Sequence, residues 1–299
     1  MLLWKWREMK VNVNDINNIC VIGAGNMGHQ ISLLCAISGY KTVCTDISEE
    51  QLQKAEAFVE KYLPGRVAKG RLTQEQADQA RANISFTKDL NEALKDADFV
   101  IEAAVEIMDI KRKLFQQMDE ICQPHTILAT NSSYIVSSRV ADVTSRPEKV
   151  CNMHFFNPAL VMKCVEVVKG PHTSEETAQI TMDLAKNLKK EPVLLQKEIY
   201  GFLVNRIFNS ITTEALFLID MGIAGPEEID SAVENALGHA MGPCRTMDLT
   251  GLDLNYKRRM ENYQNSMDPA DKPPAIVVEK YAKGEWGKKV GKGFYEYKE

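Results

Sequence analysis

Short apolar runs alternate with helically spaced apolar positions from Asn17 to Gln196. NNICVIGAGNMGHQISLLCAISGYKTVCTDIS predicts a strand, a glycine turn, a helix of about a dozen residues closed near Gly39, and a second strand ending at Asp46. From Glu49 to Ala82 the pattern is helical and charged, and Pro64, Gly65 and Gly70 in LPGRVAKGRLT break it, so two helices joined by a basic turn are expected, the second capped by Thr73. NISF, ADFVIEAAVE, TILATNSS, KVCNMHFF, KCVEVVK and EPVLLQ predict further strands, with helices near Asp109–Cys122 and Glu175–Leu188. Such alternation implies an α/β domain on a mostly parallel sheet whose later strands change order or direction.

Beyond Gly201 the strand pattern stops. GFLVNRIFNSITTEALFLIDMG, PEEIDSAVENALG, RTMDLTGLDLNYKRRMENY and PAIVVEKYAKG carry apolar residues at helical spacing. The expected organisation is an α/β domain over 15–198, with a helical hairpin inserted near 49–82, and an all-helical domain over 199–299. The run from Phe202 to Leu218 is too apolar for a helix with one buried face, and a dimer interface is one place for the excess.

Composition narrows the function classes. With 299 residues, 44% hydrophobic, the chain can build a large core, and a net charge of −5 makes nucleic acid a poor partner. Seven cysteines without CxxC spacing suit a reducing compartment. MLLWKWREMK lacks the form of a secretory signal, and no window approaches the roughly 18 apolar residues of a bilayer span, so a cytoplasmic protein with no membrane association is expected. No histidine pair has zinc-site spacing, and metal dependence is not expected.

The glycine turn gives the most specific chemistry. In GAGNMG, Gly23 permits a tight turn, Gly25 lets a pyrophosphate approach the backbone, and Gly28 lets the helix pack on the strand, with Asn26 and Met27 between them. Asp46 follows at the end of the second strand, where a carboxylate binds ribose hydroxyls and repels a 2′-phosphate, so NAD is expected rather than NADP.

Other polar residues interrupt the apolar runs. Asn131, Ser132 and Ser133 end a strand at the usual edge of a ligand crevice, although an ordinary Asn/Ser turn fits equally well. Glu102 and Glu106 read either as solvated loop carboxylates or as groups facing a ligand. His125 and His172 read as exposed. His154 reads as a satisfied core histidine or as an acid/base group; Glu166, isolated in another apolar run, is costly to bury alone, and pairing the two removes both difficulties. Asn205 reads as an interhelical amide or as a ligand for a reacting oxygen.

VIGAGNMG, VIEAAVE, ATNSSYI, HFFNP with KCVEVVKG, GFLVNR, ALGHAMGPCRTMDLTGLD and KGEWGKKVGKGFYEY occur in order over about residues 15 to 299. Together they resemble the short-chain L-3-hydroxyacyl-CoA dehydrogenase family, and within it the bacterial 3-hydroxybutyryl-CoA dehydrogenases. The resemblance implies an NAD-binding Rossmann domain, a helical C-terminal domain that forms a homodimer, and an acyl-CoA thioester substrate. It implies His154 as general acid/base, Glu166 as its orienting carboxylate, and Ser133 and Asn205 as ligands of the substrate's C3 oxygen. Asn131, Glu106 and Lys111 would be nicotinamide-side contacts and Asp46 the adenosine-ribose ligand. Arg66, Lys69 and Arg71 would lie on the coenzyme A side. The chain departs from the family pattern at Ser132, Tyr134 and Tyr200, where relatives often carry Thr, Ser and Pro. Two other classes remain on the same architecture: a dehydrogenase of free hydroxy acids or sugar acids, and a nonenzymatic dinucleotide-binding or structural protein.

Overall fold

The computed structural model describes residues 12–297, so MLLWKWREMK lies outside the described residues. The chain divides after Leu203 into two compact units. In the first, the order is β1 (Asn18–Ile22), α1 (Gly28–Ile37), β2 (Lys41–Thr45), α2 (Glu49–Ala68), α3 (Gln74–Ala82), β3 (Ile84–Thr87), α4 (Leu90–Leu94), β4 (Phe99–Glu102), α5 (Met108–Ile121), β5 (Ile127–Thr130), α6 (Ser138–Ala141), β6 (Val150–Phe155), β7 (Cys164–Val168), α7 (Glu175–Asn187) and β8 (Glu191–Leu195). The strands form one sheet in the order β3-β2-β1-β4-β5-β6-β7-β8, a doubly wound Rossmann arrangement. It is parallel from β3 to β6; β7 runs antiparallel to β6, and β8 parallel to β7.

The central strands β1, β4 and β5 are buried on both faces, which is why they read as unbroken apolar runs. One core lies on the side of α1 and α7, with Val21, Ile31, Ile101, Met153, Val167 and Leu184 in contact. The other packs Val100, Phe115, Met118, Leu128 and Val140 on the opposite face. Burial pushes the thiols of Cys35 and Cys151 up to about 12, and both pack as neutral apolar groups.

Pro64 does not end its helix. α2 continues through it to Ala68, and the chain turns at Gly70, whose φ is +62°. Arg66 therefore lies in the last helical turn, over the Tyr62 ring at 5.3 Å, rather than in a loop. Thr73 caps α3 as expected, with a reciprocal Gln76 contact. His125 and His172 are half-buried rather than exposed, bonded to Asp98 and to the Val150 carbonyl at 3.0 and 3.2 Å.

The second unit comprises α8 (Val204–Asp220), α9 (Pro226–Leu237), α10 (Pro243–Thr250), α11 (Leu252–Ser266) and α12 (Ala275–Ala282), around Leu216, Cys244, Met247, Leu252 and Val277. Its glycine-rich tail is held by a buried carboxylate: Asp248 accepts the amides of Phe294 and Tyr295 at 2.8 and 3.0 Å and the Tyr297 hydroxyl at 3.0 Å. Burial and the facing Asp248 charge push the Tyr297 hydroxyl up to about 12. Gly293 is required here because a Cβ would stand 2.1 Å from the Asp248 carboxylate.

Two outcomes follow for stability. Gly293→Ala should lower unfolding free energy by about 2 kcal/mol through overpacking against Asp248, measured by denaturant unfolding. Burial of Asp98 opposes its ionisation, but the Asn17 and Asn18 amides and His125 outweigh burial and hold its carboxyl below the usual range. Because the folded pKa lies below the unfolded one, this contribution is complete above about pH 4 and disappears as pH falls through the folded value. Asp98→Asn should therefore cost about 1–2 kcal/mol at pH 7, with the gap to the parent protein closing in more acidic unfolding titrations.

Candidate functional site

The connection from β1 to α1 is shaped by two close backbone approaches. Gly23 has φ +99°, and a Cβ there would lie 2.6 Å from the Ala103 carbonyl; one on Gly28 would lie 1.7 Å from the Gly23 carbonyl. Gly25 differs, since a Cβ there meets nothing within 4 Å. Its open side belongs to a crevice of about 830 Å³ at the carboxyl ends of the strands, lined by Gly23, Gly25, Asn26 and Met27 and reaching from Asp46 to Asn131 and Ser133. Bare backbone and the start of α1 thus face space that the fold itself does not need, as a pyrophosphate requires.

Asp46 is fixed by its own turn. Its carboxylate accepts the Ala24 amide and the Ser48 amide, each at 2.8 Å, tying the end of β2 to the glycine loop. A carboxylate in this position binds ribose hydroxyls and disfavours a 2′-phosphate. The residues present fit NAD.

On the other side of the crevice, the two glutamates of VIEAAVE have separate tasks. Glu102 is fully buried, which excludes the solvated-carboxylate alternative for it. It accepts Lys111 Nζ at 2.7 and 2.9 Å, the Thr130 hydroxyl at 2.7 Å and the Ala104 amide at 2.7 Å. Glu106 is exposed at the rim, where it accepts the Ser132 hydroxyl and the Tyr134 amide and stands 3.4 Å from Lys111. Lys111 and Glu106 both line the crevice. Asn131 does too, while its side-chain oxygen accepts the Phe155 amide at 2.8 Å.

His154 and Glu166 are direct cross-strand neighbours in the β6–β7 pair. Alternation sends Met153, Phe155, Val165 and Val167 into the core and leaves Asn152, His154 and Glu166 on the other face. His154 Nδ1 lies 2.8 Å from Glu166 Oε2, and Nε2 lies 2.9 Å from Ser133 Oγ. The carboxylate only accepts, so Nδ1 carries the proton; in the neutral ring Nε2 accepts from Ser133. The second Glu166 oxygen accepts the Leu203 amide at 2.9 Å. His154 is 3% exposed, packed edge-on against Phe156 and near Phe202. Lys190 closes the turn after β6 by donating to the Ala159 and Met162 carbonyls at 2.6 and 2.8 Å.

Ser133, His154 and Glu166 form one hydrogen-bonded relay, and Ser133 also lines the crevice. Lys69 ends α2 and is not among the crevice residues; Asn205 lies in the first turn of α8, in the second unit. Asn152, absent from the sequence reading, accepts the Ser137 amide at 2.8 Å and donates to the Ile135 carbonyl at 3.0 Å, which fixes the loop carrying Ser133. Its signal was visible: a second polar residue two positions before His154 in an apolar strand.

Two family models divide the chain between them: the NAD-binding domain of 3-hydroxyacyl-CoA dehydrogenase over residues 18–199, and the C-terminal domain of the same enzyme over residues 201–297. A probable 3-hydroxybutyryl-CoA dehydrogenase of Bacillus subtilis is 38% identical, over 95% of this chain and 99% of that one. The mitochondrial hydroxyacyl-coenzyme A dehydrogenase of Sus scrofa is 35% identical over 95% and 92%. The crystal structure of (S)-3-hydroxybutyryl-CoA dehydrogenase from Ralstonia eutropha superposes with a TM-score of 0.87 at 37% identity, covering 95% of this chain and all of that one. The chain belongs to the short-chain 3-hydroxyacyl-CoA dehydrogenase family, with the NAD-dependent oxidoreductase activity of that family.

Proposed function

We propose that the protein interconverts a short 3-hydroxyacyl-CoA, 3-hydroxybutyryl-CoA, and its 3-keto counterpart, acetoacetyl-CoA. The observation that carries the reading is the Ser133–His154–Glu166 relay, whose first member lines the dinucleotide crevice. NAD bound in the crevice lined by Gly25, Asp46 and Asn131 would supply the hydride acceptor for C3 in oxidation, and its reduced form the hydride donor in reduction. His154 Nε2 takes the C3 hydroxyl proton in oxidation and supplies it in reduction, while Glu166 holds the ring orientation and balances its positive charge. With substrate bound, the Ser133 hydroxyl turns from Nε2 to the C3 oxygen, freeing the nitrogen for the substrate proton, and together with the Asn205 amide stabilises developing alkoxide character. Asp46 holds the adenosine ribose, the glycine turn with Asn26 and Met27 the pyrophosphate, and Asn131, Glu106 and Lys111 the nicotinamide side. Lys69 is assigned to the coenzyme A phosphates on its charge and its place at the end of α2.

Two further assignments belong to this reading. The second unit forms a homodimer, supported by Phe217, Met221 and Ile223, which are 51%, 61% and 65% exposed in the unit that carries the C-terminal domain match. A cytoplasmic setting is supported by seven free cysteines. Among the described residues, no helix is long and apolar enough to cross a membrane.

NADH consumption with acetoacetyl-CoA and with free acetoacetate, measured in parallel, tests the substrate class. Turnover should require the thioester, and His154→Gln should lower kcat by about a thousandfold; equal rates on the free acid would defeat the thioester assignment. Replacing Asp46 by Ser should raise KM for NAD about tenfold and narrow the preference over NADP, read from initial rates with each cofactor. An unchanged NAD to NADP ratio would remove Asp46 from the ribose site.

A further inference from the structure

Tyr134 and Tyr200, two of the positions at which the chain departs from the family pattern, stand in ring contact, their centroids 4.9 Å apart and their planes inclined by 39°. Each adjoins a different end of the relay. Tyr134 follows Ser133, whose hydroxyl is bonded to His154 Nε2. Tyr200 lies on the short segment ending at Leu203, whose amide donates to Glu166. The contacts form a closed circuit: Ser133 to His154, His154 to Glu166, Glu166 to Leu203, back along the chain to Tyr200, and across the rings to Tyr134.

The segment that completes this circuit has an unusual backbone. Its turn is closed by the Phe202 amide on the Ile199 carbonyl at 3.0 Å, and Phe202, a non-glycine residue, has φ +49°. A bulky residue holds such a conformation only where its surroundings over-determine it. Here the restraints are the fully buried Phe202 ring, the Leu203 bond to Glu166 and the Tyr134–Tyr200 contact. The first two act within the core; two contacts reach across to the loop that carries Ser133, the aromatic pair beside Ser133 itself and, further along, Glu198, which accepts the Ser137 hydroxyl and the Ser138 amide at 2.8 Å each.

We propose that Tyr134 and Tyr200 form an aromatic clasp whose function is positioning: it holds the Ser133 loop and the Ile199–Leu203 segment at one separation and so fixes the hydroxyl and the carboxylate against opposite nitrogens of His154. Tyr134 also lines the dinucleotide crevice, so a plain wall contact would show in KM, whereas the clasp acts through the relay. Its effect therefore falls on kcat, because a displacement on the order of an ångström in a proton-transfer group slows the chemical step more than it weakens ground-state binding. The contact is made by the two tilted rings themselves, so phenylalanine at either position keeps it.

This inference rests on the relay being the acid/base machinery, and the experiment separates the two. Tyr134→Ala, Tyr200→Ala, the double Ala variant, Tyr134→Phe, Tyr200→Phe and His154→Gln are compared for kcat, for KM toward acetoacetyl-CoA and NADH, and for the pH profile of kcat, with thermal unfolding measured on each. Each Ala variant should lose about tenfold in kcat with KM within about twofold and an altered pH profile, and the double variant should be no slower than the slower single. The Phe variants should keep parent kcat and folding, which also separates loss of the clasp from loss of structure. Additive losses, losses confined to KM as for a plain pocket wall, Phe variants as slow as Ala, or Ala variants at parent kcat would each overturn the clasp. An active His154→Gln enzyme would instead overturn the relay itself, whatever the tyrosines do.

Discussion

The register between β6 and β7 is the constraint on which the site depends. His154 and Glu166 are opposite one another in an antiparallel pair, so the strand period of two places both on one face while their neighbours fill the core. A slip of one residue would bury Asn152 and His154 among Val21, Ile31 and Leu184 and turn Met153 and Phe155 toward the Ser133 loop. Apolar residues on the core face of both strands make that slip costly. The same packing that stabilises the sheet thus fixes the donor and acceptor geometry of the relay.

Buried charge performs a second task around the crevice. Glu102 and Lys111 are almost wholly removed from water, an arrangement that an apolar pair of similar volume often matches in stability. What the pair adds is connection: Glu102 also takes the Thr130 hydroxyl and the Ala104 amide, and Thr130 in turn accepts the Ser132 amide. The ends of β4 and β5 and the start of α5 are locked together where the crevice is lined. Asp248 works in the same way in the second unit, gathering the glycine-rich tail around one buried carboxylate. In both places one acceptor with several lone pairs replaces the regular ladder at a point where the backbone leaves secondary structure.

The limits of local reading show at Pro64 and Glu102. Proline ends a helix by local geometry, yet α2 runs through it because Leu63 and Val59 are packed on α1 and α3, where the gain from burial offsets the lost backbone bond. The sequence left Glu102 open between a loop carboxylate and a group facing a ligand, because the side chains that bury it come from other elements: Thr130 is on the adjacent strand and Lys111 on the following helix. The partners of Asn152 were illegible for the same reason, since they lie in the loop after β5, although its polarity in an apolar strand was visible.

The sequence by itself determined whatever depends on short-range chemistry. GAGNMG before an amphipathic or buried helix, an acid at the end of the next strand, the alternation of apolar runs, and the change to helical spacing after Gly201 all follow from backbone sterics and periodicity, so the Rossmann sheet, the NAD site and the helical second part were legible. The pairing of His154 with Glu166 was also legible, because an isolated carboxylate in an apolar strand requires a partner. Only the tertiary structure decided the partners themselves: that Ser133 takes the second imidazole nitrogen, that Leu203 takes the second carboxylate oxygen, and that Tyr134 and Tyr200 meet. Those contacts join segments brought together by sheet order and strand register, which no local pattern specifies.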